Sequence, residues 1–160
     1  MRLALIALAT VPSLAAACSG DDGTGDDTQT VNCAEETRDE DFVAGLEKAG
    51  QAGALDFKLL TADPAPPARF DNTWVVQVNA MSNGIVGAPV NGASMAVTPY
   101  MPDHGHVSPK TVTLQPVAGA DGQYTLTPIY FGMPGYWETT LDVTTPSGND
   151  TVVFKFCIPS

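Results

Sequence analysis

The chain has 160 residues, with 18 acidic side chains against 7 Lys and Arg, a formal net charge of −11, and only 16% of positions charged. No basic stripe is available to neutralise phosphates, which excludes a nucleic-acid binder, and the length excludes a large multidomain enzyme. With 15 Gly and 13 Pro, what remains is a small, acidic, turn-rich domain.

Met1-Arg2 is a minimal positive start, and residues 3–17 form an uncharged apolar stretch. That stretch is shorter than the roughly 20 residues of a spanning helix and suits an export signal. Ala15, Ala16 and Ala17 precede Cys18, an order that resembles a bacterial lipoprotein signal. It predicts removal of residues 1–17 and lipidation of Cys18, so that the protein is exported and lipid-anchored in the cell envelope, at the outer membrane since Ser19 follows. Ordinary cleavage after Ala17, leaving a free Cys18, is the alternative. Residues 18–32 then carry four Asp and no large apolar side chain before Val31, which predicts a flexible acidic tether. Nine of the 18 acids lie between Asp21 and Asp41, so much of the net charge belongs to the tether and its junction rather than to a binding face.

Cys33 and Cys157 bracket the remainder of the chain. In an oxidising compartment two such cysteines pair, and closing so long a loop restricts the unfolded chain by about 5 kcal/mol in the entropy account. A pair of thiolate metal ligands is the competing possibility, but neither cysteine sits in a CxxC spacing. Residues 33–54 are expected to form a short helical extension. Within it, residues 39–50 place acids first, Lys48 late and Gly50 last, with Phe42 and Leu46 at helical spacing.

From residue 55 to 160 the period changes to two. Segments 55–61, 72–80, 94–100, 111–116, 123–130, 135–144 and 150–157 each alternate apolar with polar residues. In them Trp74, Val76 and Val78 form one inward row and Trp137, Leu141 and Val143 another. Seven short strands separated by Gly, Pro, Asn and Asp turns predict an all-β, immunoglobulin-like antiparallel sandwich.

The two histidines, His104 and His106, share the segment Met101-Pro102-Asp103-His104-Gly105-His106. On an extended backbone both imidazoles project to one side and can reach one ion, and Asp103 can orient an imidazole from behind. Met133 stands in a second Met-Pro pair, within Phe131-Gly132-Met133-Pro134-Gly135-Tyr136-Trp137. Imidazole and thioether without thiolate form a soft donor set that suits copper, Cu(I) above all, better than Mg, Ca or Mn. The alternative is that Met101 and Met133 plug the end of the sandwich while the histidines are solvated loop residues.

Trp74 in an Asn-Thr-Trp context, then Met-Pro-Asp-His-Gly-His, a Gly-Gln-Tyr turn at 122–124 and Met-Pro-Gly-Tyr-Trp together resemble the YtkA-like domain family over about residues 55–157. The resemblance implies an immunoglobulin-like sandwich in exported or membrane-tethered bacterial proteins, with relatives linked to copper handling or cytochrome oxidase assembly. By position it puts the family's Met-x-x-His-x-His segment on Met101, His104 and His106, and its Met-x-Gly-x-Trp on Met133, Gly135 and Trp137.

Enzyme chemistry finds no purchase. Asp103 and His104 are neighbours whose side chains diverge on an extended chain, no Gly-x-Ser-x-Gly elbow occurs, and Glu138 and Asp142 alternate with Thr140 as on a solvated sheet face. Two non-enzyme functions follow. One is an envelope lipoprotein that binds copper through His104, His106, Met101 and Met133 and passes it to an accepting protein. The other is a tethered interaction domain that presents Tyr100 and Tyr136 as contacts. They differ in one requirement: copper needs the 101–106 and 133 segments to converge at one end of the sandwich.

Overall fold

The computed structural model describes residues 31–146 and 148–160. The export signal, Cys18 and the acidic tether up to residue 30 lie outside the described residues. Within them a 3-10 turn, Cys33–Glu35, precedes ten strands: β1 (Leu46–Ala49), β2 (Leu55–Asp63), β3 (Phe70–Ser82), β4 (Ile85–Pro89), β5 (Ser94–Met101), β6 (His106–Val107), β7 (Thr113–Pro116), β8 (Gln123–Phe131), β9 (Gly135–Thr145) and β10 (Gly148–Ile158). All pairs are antiparallel, in two sheets. One runs β1-β2-β3-β8-β7, with β4 on β3; the other runs β10-β9-β5-β6. This is the all-β sandwich the alternation predicts, with the seven expected strands present and β1, β4 and β6 added.

The register explains the alternation. β9 and β10 pair from Gly148 with Thr145 to Ile158 with Gly135 without a shift. Every second β10 residue from Asp150 through Val152, Phe154 and Phe156 to Ile158 is buried. Opposite them stand Trp74, Val76 and Val78 of β3 and Phe57 and Leu59 of β2, all without exposed surface. Trp74 meets Phe154 and Phe156 edge-on at 6.0 and 5.6 Å, and Phe131 lies 5.3 Å from Trp137. Aromatic side chains of this size bury about 150–250 Å² each and dominate a core of this kind. The Trp74 indole N–H is buried without a hydrogen-bond partner among the described residues, so Trp74 contributes by area and edge-to-face contact.

The helix expected over residues 39–50 is absent. Residues 46–49 form β1 instead, with Leu46 opposite Leu59 and Ala49 opposite Asp56. Gly45 turns the chain at φ +85° and gives its N–H to the Leu59 carbonyl at 2.7 Å. Phe42 and Leu46, whose spacing suggested one helical face, both pack on the core, Phe42 edge-on to Phe156 at 6.1 Å. An open edge on β2 offers the segment a ladder of backbone hydrogen bonds, and that gain outweighs a helix propensity of a few tenths of a kcal/mol per residue.

Residues 31–45 therefore form an extended strap. The Cys33–Cys157 disulfide pins its start, with Cα atoms 5.5 Å apart. Further along, the Glu40 N–H donates to the Lys155 carbonyl at 2.9 Å, and the Lys155 N–H donates to the Glu40 carboxylate at 3.1 Å. Among the described residues no helix is long and apolar enough to cross a membrane.

Candidate metal-binding site

The strap crosses the end of the sandwich where the β5–β6 turn and the β8–β9 loop emerge. An open cavity of about 560 Å³ lies there, lined by Val31 and Glu36 of the strap, Arg69, then Met101, Asp103 and His104, and the 132–136 segment with Met133 and Tyr136. The two Met-Pro segments thus converge on one cavity. Met101, His104 and Met133 all contribute to its wall.

Each donor is placed by a local device. Met101 ends β5 and is 2% exposed, so it belongs to the core as well as to the cavity. It is the more buried of the two β5 methionines, since Met95 is only partly covered. The space its methyl group fills is left by Gly135, where a Cβ would stand 2.5 Å from Met101 Cε.

His104 lies in a turn rather than on an extended backbone. Its N–H and that of Gly105 both donate to the Met101 carbonyl, at 3.2 and 2.9 Å. The turn returns the chain so that His106 stands opposite Met101 in the β5–β6 pair. His106 does not line the cavity; its ring centre is 5.8 Å from that of His104 and 6.4 Å from Trp137, edge-on to both. Both histidines are exposed. The imidazoles are therefore neighbours, through the turn and not through a common strand face.

Met133 is half-buried, and its loop is held from two sides. The Trp137 indole N–H donates to the Met133 carbonyl at 3.0 Å, and Arg69 reaches the Gly132 carbonyl at 3.3 Å. Arg69 is itself set by buried Asn72, whose side-chain amide donates to the Ala68 and Phe70 carbonyls at 2.8 and 3.0 Å.

Asp103 does not orient an imidazole. Both of its oxygens accept from Arg38, from Nη1 and Nη2 at 2.8 Å each. The same guanidinium holds Glu36 through Nε at 2.8 Å and Nη2 at 2.6 Å and lies 4.2 Å above the Tyr136 ring. Hydrogen bonding to Arg38 keeps the Asp103 carboxyl below its ordinary range and Glu36 down at about 2. A two-pronged guanidinium is the geometry that a nearer imidazole would have to displace. Tyr136, expected as an exposed contact, is 3% exposed and donates its hydroxyl to Glu138 at 2.7 Å. Burial first, and then that hydrogen bond, pushes its phenol up.

No motif or spacing in the sequence points to Arg38, Glu36 or Arg69. Arg38 and Asp103 are 65 positions apart, and a lone Arg in a polar segment carries no periodic signal. Among the described residues no three His, Cys, Asp or Glu side chains gather as a metal cage. The donors that do converge are two thioethers and one imidazole, with a second imidazole beside it, a set that fits a soft ion and not a hard one.

Residues 50–142 match the YtkA-like family. No curated protein matches the chain. Among solved structures, a copper-bound variant of FetP from uropathogenic Escherichia coli strain F11 is similar at 12% identity and a TM-score of 0.48, over 72% of this chain and 95% of that one. A DUF4426 family protein from Pseudomonas aeruginosa PAO1 is similar at 18% identity and a TM-score of 0.45, over 68% of this chain and 94% of that one.

Proposed function

The chain belongs to the YtkA-like family, and from that premise we propose that it is an exported copper-handling lipoprotein of the cell envelope, without catalytic activity. In this reading Cys18 carries the lipid, the flexible tether extends the reach of the anchored sandwich toward a partner, and copper is cargo for an accepting protein. The observation that carries it is the convergence of Met101, His104 and Met133, from two segments far apart in sequence, on one open cavity, with His106 beside His104. Thioether sulfur and neutral imidazole hold Cu(I) well. The openness of the cavity and the exposure of both histidines suit an ion that is taken up and released rather than sealed in as a structural centre.

The test is a Cu(I) competition titration against a chromogenic chelator, on the full chain carrying Cys18→Ser so that a free thiol does not compete. The wild-type site is expected to bind one Cu(I). The pair His104→Ala/His106→Ala should weaken it by at least about tenfold, or 1.4 kcal/mol, and abolish Cu(II) binding. For the thioethers the variant is Met101→Leu/Met133→Leu, because truncating buried Met101 to Ala costs about 2–5 kcal/mol of stability while Leu keeps the volume. It should weaken Cu(I) more than Cu(II). Negligible effects from both pairs would sink the assignment.

A second function, as an interaction domain, draws on a different observation: Phe70 and Val107 are each 55% exposed. A chain that binds no copper yet still captures a partner through Phe70 would favour it.

A further inference from the structure

The cavity that gathers the soft donors also carries two carboxylates, Glu36 and Asp103. Beside the His104 imidazole that lines the same cavity, a free carboxylate oxygen is the donor that Zn(II) or Cu(II) prefers to thioether. Both carboxylates are already engaged. Arg38 engages both oxygens of Asp103 and both oxygens of Glu36, and the backbone N–H groups of Thr37 and Arg38 add two more bonds to Glu36, each 2.9 Å. An isolated surface ion pair would yield easily to a metal, but a two-pronged network is the exception to that rule.

The arginine is also fixed in place. Its guanidinium lies on Tyr136, the disulfide holds the strap before it, and the Glu40 bonds to Lys155 hold it after. A second guanidinium, Arg69, lines the same cavity and has no carboxylate partner among the described residues. Positive charge at the rim repels a dication about twice as strongly as a monocation at the same distance.

We propose that Arg38 determines the metal preference of this site: by holding Glu36 and Asp103 it leaves thioether and imidazole as the working donors, so the cavity takes monovalent Cu(I) over Zn(II) and Cu(II). The proposal rests on the copper assignment above. Arg38 lies on the strap, outside the stretch 50–142 that matches the family.

The experiment compares wild type, Arg38→Gln and Arg38→Gln/Asp103→Asn, all as full chains with Cys18→Ser and a closed disulfide. Cu(I) is titrated by chelator competition, and Zn(II) and Cu(II) by calorimetry. Arg38→Gln should raise the Zn(II) and Cu(II) affinities by about tenfold, the effect of removing one nearby unit charge and freeing a carboxylate, with little change for Cu(I). Adding Asp103→Asn should remove most of that gain, which a merely loosened strap would not do. Arg38→Lys, which keeps the charge but cannot hold two carboxylates by two prongs each, should gain less in the same direction. If wild type binds Cu(I) and neither Arg38 variant gains divalent affinity, the selectivity role is overturned and the copper site stands. If wild type binds no Cu(I), both fall.

Discussion

Gly135 opens β9 at φ +131°, and the position its side chain would occupy belongs to the methyl group of Met101. One glycine therefore serves backbone and site together. Gly135→Ala is expected to cost about 1–3 kcal/mol through the strained φ and the overpacked contact. It should also weaken Cu(I) binding, because Met101 must move. Urea unfolding and the chelator titration on the same variant check both; a loss of stability with unchanged Cu(I) affinity would separate Met101 from the site. At this scale the sequence was informative about the residues in recognisable spacings. Met101, His104, His106 and Met133 were all visible as two Met-Pro segments, one with His-x-His. The role of Asp103 was misread, because its partner Arg38 comes from a strap whose course no local pattern encodes. Tyr136 was misread for the same reason: Arg38 stacks over a ring that the strand alternation alone would leave open.

The strands show where alternation suffices and where it fails. β2, β3, β5, β8, β9 and β10 turn one face to the core, and the short β7 turns Leu114 toward it, so period two marked them. β4 is exposed at all five positions and has no buried face to leave a pattern; its signal was the Asn83-Gly84 turn, a pair that favours a tight hairpin. β6 is two residues long. The segment leading into β1 reads as helix because Phe42 and Leu46 meet the core from an extended chain at a spacing that helices share.

β10 carries a feature that the pattern hid, since buried Asp150 occupies an inward position. Its carboxylate accepts the N–H groups of Ala52, Ala54 and Leu55 at 2.7, 2.8 and 2.9 Å and that of Thr151 at 2.9 Å. Burial alone would raise its pKa; the four donors outweigh burial and hold it below the ordinary value. The stabilisation is thus present above the unfolded carboxylate pKa of about 3.9 and is lost as pH falls through the lower folded value. Asp150→Asn should cost about 2 kcal/mol at neutral pH by leaving buried donors unpaired. That deficit should shrink below about pH 4. Urea midpoints measured from neutral to acid pH test this, and a deficit that stays constant would contradict it.

For the whole molecule, the disulfide joins residues separated by 124 positions and encloses both sheets. It was legible from two cysteines bracketing the strands, whereas the sheet order and the strap were not, because long-range pairing depends on which edges remain open. Replacing Cys33 and Cys157 together by Ser should lower stability by about 2–5 kcal/mol, with the β-sheet circular dichroism signal retained below a reduced Tm. The same covalent ring has a mechanical consequence. A pull between the residues preceding Cys33 and the C-terminus is transmitted directly across the two sulfur atoms to residues 157–160, and apart from Cys157 and Ile158 at the end of β10 the strands stand outside the load path. The sandwich can be tugged by whatever holds its leading end with the force confined to the last two residues of β10, and reduction of that one bond is what would put the rest of β10 under tension.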